Sequence, residues 1–309
     1  MMGTYTFRWR EGRVGLQDER VSAELVAVIV AVQNGTPLVL TTADGRRLPS
    51  GPLQAGHRSM QAGLRSWVTR QTGYELGYVE QLYTFADRSR DSRPVLEVSY
   101  LGLTTVSAVT PGWRSWREYF PWEDRRGDDG ATDTVLARAL ERWATADPET
   151  ADRRRRRVAV TFGLDGQPWL PEMALQRYEL LYEAGLVPEA HGGPPSPETG
   201  PPMDRDHRRI LATGIGRLRA KIQYRPVIFE MLPESFTLSQ LQTTVEAVAG
   251  QHLHRQNFRR LVEQQELVEE TGEVDASTGG RPAKLFRFRR AVLEEREAAG
   301  TKLPIARSR

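Results

Sequence analysis

The chain has 309 residues, about twice the length of a common single domain, so two domains are expected. Because it contains no cysteine, disulfides, thiolate metal ligands and cysteine nucleophiles are excluded. The net charge of +3 is unevenly divided: from Asp204 onward there are 19 Lys and Arg against 14 Asp and Glu, and before it 24 against 26. No apolar run is long enough for a signal-peptide core or a membrane span, so we expect a cytoplasmic protein without membrane contact.

The first predicted elements are a hairpin, a helix and further strands. Residues 23–42 (AELVAVIVAVQNGTPLVLTT) predict two apolar strands joined at Asn34-Gly35, a dipeptide typical of tight hairpin turns. A Leu-Pro-x-Gly turn at 48–51 follows, then a helix that ends at Thr72-Gly73, then strand-forming sequence over 77–103. This layout resembles the Nudix fold and implies an α/β/α sandwich.

The predicted helix departs from the Nudix signature. Nudix hydrolases carry G-x5-E-x7-R-E-U-x-E-E-x-G-U here, and its glutamates hold Mg²⁺ against a diphosphate. Between His57 and Thr72 this chain has no Asp or Glu. The candidate signature positions hold His57, Ser66, Trp67, Thr69, Arg70 and Gln71. Because Mg²⁺ requires hard oxygen ligands, we expect neither Nudix hydrolysis nor a catalytic cofactor.

Cations stand where the Nudix family places carboxylates. Arg58, Arg65 and Arg70, with His57 near the start of the helix, could hold a phosphate without a metal ion. The alternative is that these arginines simply face solvent. The spacing alone leaves both interpretations open.

The middle of the chain has two unusual features. Five aromatic residues lie close together: Trp113, Trp116, Tyr119, Phe120 and Trp122. They either stack a ligand ring or form core or dimer contacts. Five arginines, Arg153–Arg157, precede VAVTFG, which predicts a strand. These arginines either decorate a helix end, bind phosphates or flank DNA.

A segment rich in proline and glycine, 188–204, divides the chain, because it can hold neither a helix nor a central strand. We predict a nucleotide-sensing domain over 1–187, a linker over 188–204 and a DNA-binding domain over 205–309. The linker could instead be an ordered surface loop.

The last third predicts a helix-turn-helix. An amphipathic helix over 206–222 begins the domain, and a short helix opened by Pro226 follows. Thr237 and Gln240 match a capping box for a helix that stops at Gly250, and a second helix follows almost at once. In that second helix Phe258, Leu261 and Val262 share one side. The opposite side projects polar and basic residues, as a recognition helix does.

The stretch STGGRPAKLFRFRRAV, 277–292, predicts the returning strand of a hairpin, the wing of a winged helix. Its apolar residues would anchor the strand to the core. Arg281 at the tip, Lys284 and Arg287 would be free to meet phosphates or a minor groove.

Several segments resemble the Nudix-related transcriptional regulators of NAD metabolism, the NrtR type. They are VEQLYTFADRSRDSRPVLEVSYLGL (79–103), PESFTLSQLQ (233–242), RQNFRRLVEQQELVEETGE (255–273) and GGRPAKLFRFR (279–289). The resemblance covers roughly 21–105 and 205–290, and it implies an α+β chain with an N-terminal Nudix-like sandwich and a C-terminal winged helix. The longer middle is similar to the alphaproteobacterial NadQ type.

The resemblance also implies a function. It implies a homodimeric repressor of NAD biosynthesis genes on a palindromic operator, with ATP, NAD or ADP-ribose as effector. By position, the resemblance implies DNA contacts at Gln256, Asn257, Arg259, Arg260, Arg281 and Lys284. Arg287 of the wing is expected to contact DNA as well. The ligand contacts expected are Arg58 and Arg65 from the helix, and Arg88, Arg90 and Arg93 from the loop that matches the family.

Two other functions remain open. One is a Nudix-type hydrolase of NAD or ADP-ribose with displaced carboxylates, drawing on Asp87, Asp91 and Glu97. The other is an architectural DNA-binding protein whose Nudix-like half only dimerises.

Overall fold

A computed structural model describes residues 22–88, 94–106, 111–127, 130–192, 195–276 and 282–291. The strands are β1 (Ser22–Gln33), β2 (Thr36–Leu40), β3 (Ser50–Pro52), β4 (Tyr78–Arg88), β5 (Pro94–Leu103), β6 (Trp113–Ser115), β7 (Val268–Asp275) and β8 (Ala283–Phe288). The α-helices are α1 (Met60–Thr72), α2 (Trp116–Tyr119), α3 (Gly130–Thr145), α4 (Ala151–Phe162), α5 (Ala174–Glu183), α6 (Pro188–His191), α7 (His207–Lys221), α8 (Leu238–Ala249) and α9 (Arg255–Gln264). Short 3₁₀ helices span Pro121–Glu123, Pro171–Met173 and Val227–Met231. Within these ranges no helix is long and apolar enough to cross a membrane.

Six strands form one mixed sheet in the order β4-β5-β1-β2-β6, with β3 also paired to β1. β1 and β5 are parallel, so that Glu24 lies opposite Glu97, and the other pairs are antiparallel. β1 turns into β2 at Asn34 and Gly35, whose φ angles of 49° and 73° suit a two-residue hairpin. The predicted hairpin is confirmed.

Helices cover both faces of this sheet, because alternate residues of β1 are buried on opposite sides. Ile29 belongs to the hydrophobic cluster that includes Leu64 of α1. Val28 belongs to the cluster that includes Leu181 of α5 and Ile215 of α7. The result is an α/β/α sandwich with α1 on one face and α5 and α7 on the other.

Helix α7 packs against the sheet of the N-terminal half. A Cβ atom on Gly214 would lie 2.7 Å from Val28 Cγ1, so helix and strand approach too closely for a larger residue. At the start of α7, His207 Nδ1 accepts a hydrogen bond from Leu48 N at 2.8 Å. The limits 1–187, 188–204 and 205–309 stay predictions, and these contacts favour a later start for the C-terminal domain.

The described part of 188–204 begins with the short helix α6, so the prediction that this segment holds no helix is wrong. The rest of its described residues form an ordered loop. Asp204 N donates a hydrogen bond to Arg46 O at 2.8 Å. Gly200 has a φ of 67°, and a Cβ atom there would lie 2.3 Å from Glu118 O. These contacts pack the segment on the sandwich, and its prolines further restrict its backbone because proline fixes φ.

Residues 130–163 form a helical hairpin of α3 and α4, so the strand predicted at VAVTFG is wrong. Helix α4 continues to a left-handed Gly163, with a φ of 63°. Val158 and Phe162 are four residues apart and are buried on one face of the helix. Burial of this face outweighs the β-propensity of the valines. Arg153–Arg157 are part of helix α4 and do not precede a strand.

Helices α8 and α9 form the predicted helix-turn-helix. Both hydrogen bonds of the Thr237–Gln240 capping box are present at the start of α8. Gly250, with a φ of 71°, ends the helix in the left-handed conformation. Local signals in the sequence therefore set both ends of α8.

The hairpin β7–β8 closes this domain as a wing. Phe236 exchanges two backbone hydrogen bonds with Phe286, at 2.9 and 2.8 Å, which adds a third strand position beside β8. Phe229 stacks on Phe288 with ring centroids 4.3 Å apart. These aromatic contacts anchor the returning strand, as the sequence predicts.

Candidate nucleic-acid interface and ligand cavity

The outward face of α9 is polar, basic and exposed. It carries Gln256, Asn257, Arg259 and Arg260, all of which are exposed. In the described ranges none of these four side chains forms a hydrogen bond or ion pair, so no contact has to break before they bind another molecule. Amide side chains of this kind read adenine edges in a major groove, and guanidinium groups bind guanine or phosphate.

Few apolar residues hold α9 in place. Val262 is 5% exposed, and Phe258 packs partly buried against the same hydrophobic cluster. Leu261, expected on the buried side, is 49% exposed, so that part of the prediction is wrong. Because the buried stripe is narrow, most of the helix surface is accessible.

The sequence predicts that the cations of the wing are free. In the structure Lys284 and Arg287 are instead paired with carboxylates across the hairpin. Lys284 Nζ donates hydrogen bonds to both carboxylate oxygens of Glu270, at 2.8 and 2.9 Å, and Arg287 Nε donates to Glu269 at 2.7 Å. Exposed pairs of this kind contribute only about 0–1 kcal/mol, so phosphates can compete for these cations. Arg281 lies outside the described residues.

The arginines of the α1 region occupy different environments. Arg65 donates hydrogen bonds to Leu76 O and, at 2.9 Å, to Gly77 O, so it holds the connection between α1 and β4. Arg58 is exposed, and Arg70 lies over the ring of Trp67 at 4.8 Å. The predicted ligand contacts of Arg58 and Arg65 stay predictions.

The residues at the Nudix signature positions do not fit a Mg²⁺ ion. α1 has no carboxylate, and His57 Nδ1 accepts a hydrogen bond from Gln54 N at 3.2 Å. In the part of the chain that the structure describes, no three His, Asp or Glu residues lie close enough together to hold a metal ion.

Of the displaced carboxylates and the predicted loop arginines, only the side chain of Glu97 is described. Arg88 ends β4, and only its backbone is described. Asp91, Arg90 and Arg93 lie outside the described residues, as does the side chain of Asp87. Glu97 is buried and pairs with Arg205 at 2.7 Å.

A cavity of about 1360 Å³ opens on the face of the sheet opposite α1. It lies beside the start of β5, where the loop with Arg90 and Arg93 rejoins the sheet. Three arginines, six carboxylates and two tyrosines line it: Arg47, Arg205, Arg209, Glu24, Glu97, Glu179, Glu189, Asp204, Asp206, Tyr178 and Tyr182. Arg58 and Arg65 are not among its lining residues. Its volume exceeds the roughly 300–1,000 Å³ of common small-molecule sites, because it is an open cleft and not an enclosed cavity.

Glu24 organises one wall of this cavity. Its carboxylate accepts a hydrogen bond from Ser50 Oγ at 2.8 Å and another from Arg205, and Arg47 lies 3.7 Å away. Burial alone would raise the pKa of Glu24, but Ser50 and Arg205 outweigh burial and hold the pKa below its usual value. The Glu24 carboxylate is therefore ionised at neutral pH.

The other wall offers an aromatic surface. Tyr182 of α5 is 48% exposed, and its ring centroid lies 6.5 Å from that of Tyr178. Arg209 donates hydrogen bonds to Glu179 at 3.0 and 3.1 Å. This wall therefore places a ring for stacking next to an arginine and a carboxylate.

A buried cluster of charges connects the sandwich to the helix-turn-helix. Glu123 is fully buried and accepts hydrogen bonds from Arg177 Nε at 2.6 Å and Nη2 at 2.9 Å, and from Arg219 Nη1. Burial would raise the pKa of Glu123, but the two guanidinium groups outweigh it and lower the pKa. Arg219 Nε also donates to Val248 O of α8 at 2.8 Å, so the cluster holds the C-terminal end of that helix.

The turn between α8 and α9 makes further contacts with the sandwich. Arg125 N donates a hydrogen bond to Gly250 O at 2.7 Å, and Arg125 Nη2 donates to Phe162 O of α4 at 2.9 Å. His252 Nε2 lies 3.0 Å from Arg126 O. One short segment, 123–126, thus touches both halves of the chain.

The aromatic residues between 113 and 122 are core residues. Trp113, Trp116, Tyr119, Phe120 and Trp122 are all at most 5% exposed. Of the two interpretations that the sequence left open, ligand stacking by these rings is therefore wrong. Sequence reasoning missed Glu123, Arg177 and Arg219, because only tertiary packing brings these three residues together.

The fold and these sites define a class: a Nudix-like sandwich without the Nudix carboxylates, joined to a winged helix whose recognition helix is exposed. Residues 228–288 match the family model of the NrtR DNA-binding winged helix domain. The match confirms the NrtR-type winged helix that the sequence predicts for the C-terminal part of the chain. The closer likeness to the alphaproteobacterial type stays a prediction.

Similar proteins support this class. The chain is 36% identical over 83 residues to the ADPR responsive transcriptional repressor NtrR of Acinetobacter baylyi. That match covers 27% of this chain and one third (33%) of the repressor's length. Shewanella oneidensis NrtR in complex with a 27mer DNA has a similar fold, with a TM-score of 0.52 at 20% identity over 88% of this chain and 95% of that one. A MutT/nudix family protein from Enterococcus faecalis gives a TM-score of 0.53 at 17% identity, over 88% and 90% of the two chains.

Proposed function

We propose that the protein is a ligand-responsive transcriptional repressor that binds a palindromic operator as a homodimer, with NAD biosynthesis genes as its targets. The observation that carries the proposal is the exposed, unpaired face of α9 within an NrtR-type winged helix domain. In a homodimer two such helices would enter successive major grooves, while Lys284 and Arg287 of the wing exchange their carboxylate partners for phosphates. Arg281 is proposed to join them at the tip.

The double substitution Arg259→Ala/Arg260→Ala tests the DNA-binding surface. Because each base contact of an arginine contributes about 1–3 kcal/mol, operator affinity should fall by at least about tenfold. Dimerisation, measured by sedimentation, should not change. Arg217→Ala, which removes an exposed arginine of α7, is the control and should retain full affinity. Unchanged affinity of the double variant would contradict the assignment of α9 as the recognition helix.

The effector is proposed to be a nucleotide, ADP-ribose, NAD or ATP, bound in the cavity beside β5. Tyr182 would stack a base, and Arg209 would bind phosphates. Arg88, at the end of β4, and Arg90 and Arg93 are proposed to bind phosphates as well. ADP-ribose is the first candidate to test, since the Acinetobacter baylyi relative is named as ADPR responsive.

Tyr182→Ala tests the location of the effector. Stacking interactions contribute about 0.5–1.5 kcal/mol, so effector affinity measured by calorimetry should fall by about twofold to tenfold. DNA affinity without effector should be unchanged. Tyr224→Ala is a matched control, because Tyr224 is 58% exposed and does not line the cavity. An equal effect of both variants would contradict this location.

Two helices would transmit effector binding to the DNA-binding domain. α5 carries Tyr178 in the cavity and Arg177 at the buried cluster, and α7 carries Arg209 in the cavity and Arg219 at the cluster. Because half-site spacing is fixed by DNA geometry, a small displacement of α8 and α9 changes operator affinity.

We also propose that the Nudix-like domain is not an enzyme. The signature helix α1 has no carboxylate, and Glu97 is occupied by Arg205. Incubation with NAD or ADP-ribose and Mg²⁺ should release no nucleoside monophosphate. Metal-dependent release would favour the hydrolase with displaced carboxylates.

A further inference from the structure

The five consecutive arginines of α4 fall into two groups. Arg155 pairs with Glu141 of α3 at 2.7 Å, and Arg157 pairs with Glu183 of α5. Arg154 lies over the ring of Trp143 at 4.6 Å. These three arginines hold α4 to its neighbours.

The other two arginines, Arg153 and Arg156, are exposed. Neither forms a hydrogen bond or an ion pair with any residue in the described ranges. They are three residues apart and so share one face of α4, opposite the buried Val158 and Phe162.

Helix α3 carries a second pair of this kind. Arg138 and Arg142 are four residues apart, exposed, and without a hydrogen bond or ion pair in the described part of the chain. They lie opposite the buried Leu136 and Leu140. We call the set Arg138, Arg142, Arg153 and Arg156 the arginine face; each pair lies on the side of its own helix that faces away from the buried residues.

The arginine face is attached to the DNA-binding domain. The last turn of α4 is fixed by the bond from Arg125 to Phe162 O, and the backbone of Arg125 bonds to Gly250 in the turn before α9. At 1.5 Å per residue, Arg156 and Arg153 lie only about 9 and 14 Å along the helix axis from Phe162.

We propose that the arginine face binds backbone phosphates of duplex DNA flanking the site read by α9 and the wing. This rests on the proposed DNA-binding function. Guanidinium groups bind phosphates through paired hydrogen bonds, and phosphate contacts position a protein on DNA without reading its sequence. Asp147 is close enough to Arg153 to interact with its charge, but within the described ranges no hydrogen bond or salt bridge holds Arg153 or Arg156, so none has to break when a phosphate binds.

The test compares two labelled duplexes that carry the same site, selected by the protein from a randomised pool. One has flanks of one helical turn on each side, and the other has none. Arg153→Ala/Arg156→Ala should lose about threefold to thirtyfold affinity on the flanked duplex and less than about twofold on the trimmed one. On the flanked duplex, the slope of log affinity against log salt should become shallower by about 3 to 4, because the homodimer loses four arginines.

Two further variants separate the loss of charge at Arg153 and Arg156 from the loss of their guanidinium groups and from the loss of contacts made by α9. Arg153→Lys/Arg156→Lys keeps the charge and should retain most of the salt slope. Arg259→Ala/Arg260→Ala should lose affinity on both duplexes. If the arginine-face variant equals the wild type on the flanked duplex, or loses the same factor on both duplexes, the proposal is overturned while the function of α9 stands. If the wild-type protein selects no duplex at all, the proposed function itself fails.

Discussion

Replacing Glu123 by Gln tests the buried cluster that joins the two halves of the protein. The Glu123 carboxylate accepts hydrogen bonds from Arg177 and Arg219, and all three side chains are fully buried. A Gln side chain has nearly the same shape, but it offers one acceptor and turns an NH₂ group towards guanidinium donors. The substitution therefore leaves two buried cations without a counter-charge.

The expected cost follows from this environment. Removing one partner of a buried ion pair costs about 3–5 kcal/mol, because the remaining charge stays buried and uncompensated. For a protein of this size, each kcal/mol lowers Tm by about 2–4 °C, so a fall of about 6–20 °C is expected. Because Arg219 also holds Val248 of α8, the response of DNA affinity to the effector should weaken in Glu123→Gln below its Tm.

Glu118→Gln is the matched control. Glu118 is 49% exposed and lies 4.0 Å from Arg114, so its charge contributes less than about 1 kcal/mol. Thermal unfolding followed by circular dichroism would compare the two variants. If Glu123→Gln melts within about 2 °C of Glu118→Gln, the cluster does not stabilise the junction of the two halves as we infer.

Two further predictions concern pH and the turn before α9. Burial, followed by repulsion from Arg47, lowers the pKa of His207 from 6.5 to about 4. As pH falls, the imidazole is therefore protonated first in the unfolded chain, which stabilises the unfolded state. About 3 kcal/mol of the free energy of unfolding, present above pH 6.5, is lost between pH 6.5 and 4. His207→Asn, whose amide oxygen can accept the Leu48 N–H bond, should flatten the urea midpoint across this pH range, and an unchanged pH dependence would contradict the assignment. Gly250→Ala should destabilise more than Gly73→Ala in urea unfolding, because both glycines end helices with φ near 70–75°, but only at Gly250 would a Cβ atom lie 2.3 Å from Glu123 O. Equal losses would contradict that contact.

Elements with local signals were predictable from the sequence. The Asn34-Gly35 turn, the Thr237–Gln240 capping box and the stop at Gly250 each depend on residues close together in the chain. Their conformations are set by short-range hydrogen bonds and by φ preferences. The same holds for the exposed side of α9, although Leu261 departs from the predicted stripe.

Features that depend on distant residues were not predictable. Glu123 lies 54 and 96 positions from Arg177 and Arg219, and no spacing rule connects them. The cavity likewise draws its walls from β1, β5, α5 and the loop before α7. At α4, valine propensity favoured a strand, whereas burial of Val158 and Phe162 on one side required a helix.

The wing shows an intermediate case. The sequence placed Lys284 and Arg287 on the hairpin correctly, but it did not give the register that sets them beside Glu270 and Glu269. A bulge between Glu270 and Val274 shifts that register, and its position depends on how the strands pack.

The central claim is that one chain both binds a specific duplex and responds to a nucleotide. Its most direct test is fluorescence anisotropy of labelled DNA from upstream of this gene and of NAD biosynthesis genes, at fixed salt, with and without ADP-ribose, NAD and ATP. We expect the protein to bind one of these upstream duplexes far more tightly than a scrambled duplex. We also expect one of the three nucleotides to shift the affinity for that duplex. Equal binding of specific and scrambled duplexes, or no effect of any nucleotide on the specific one, would contradict it.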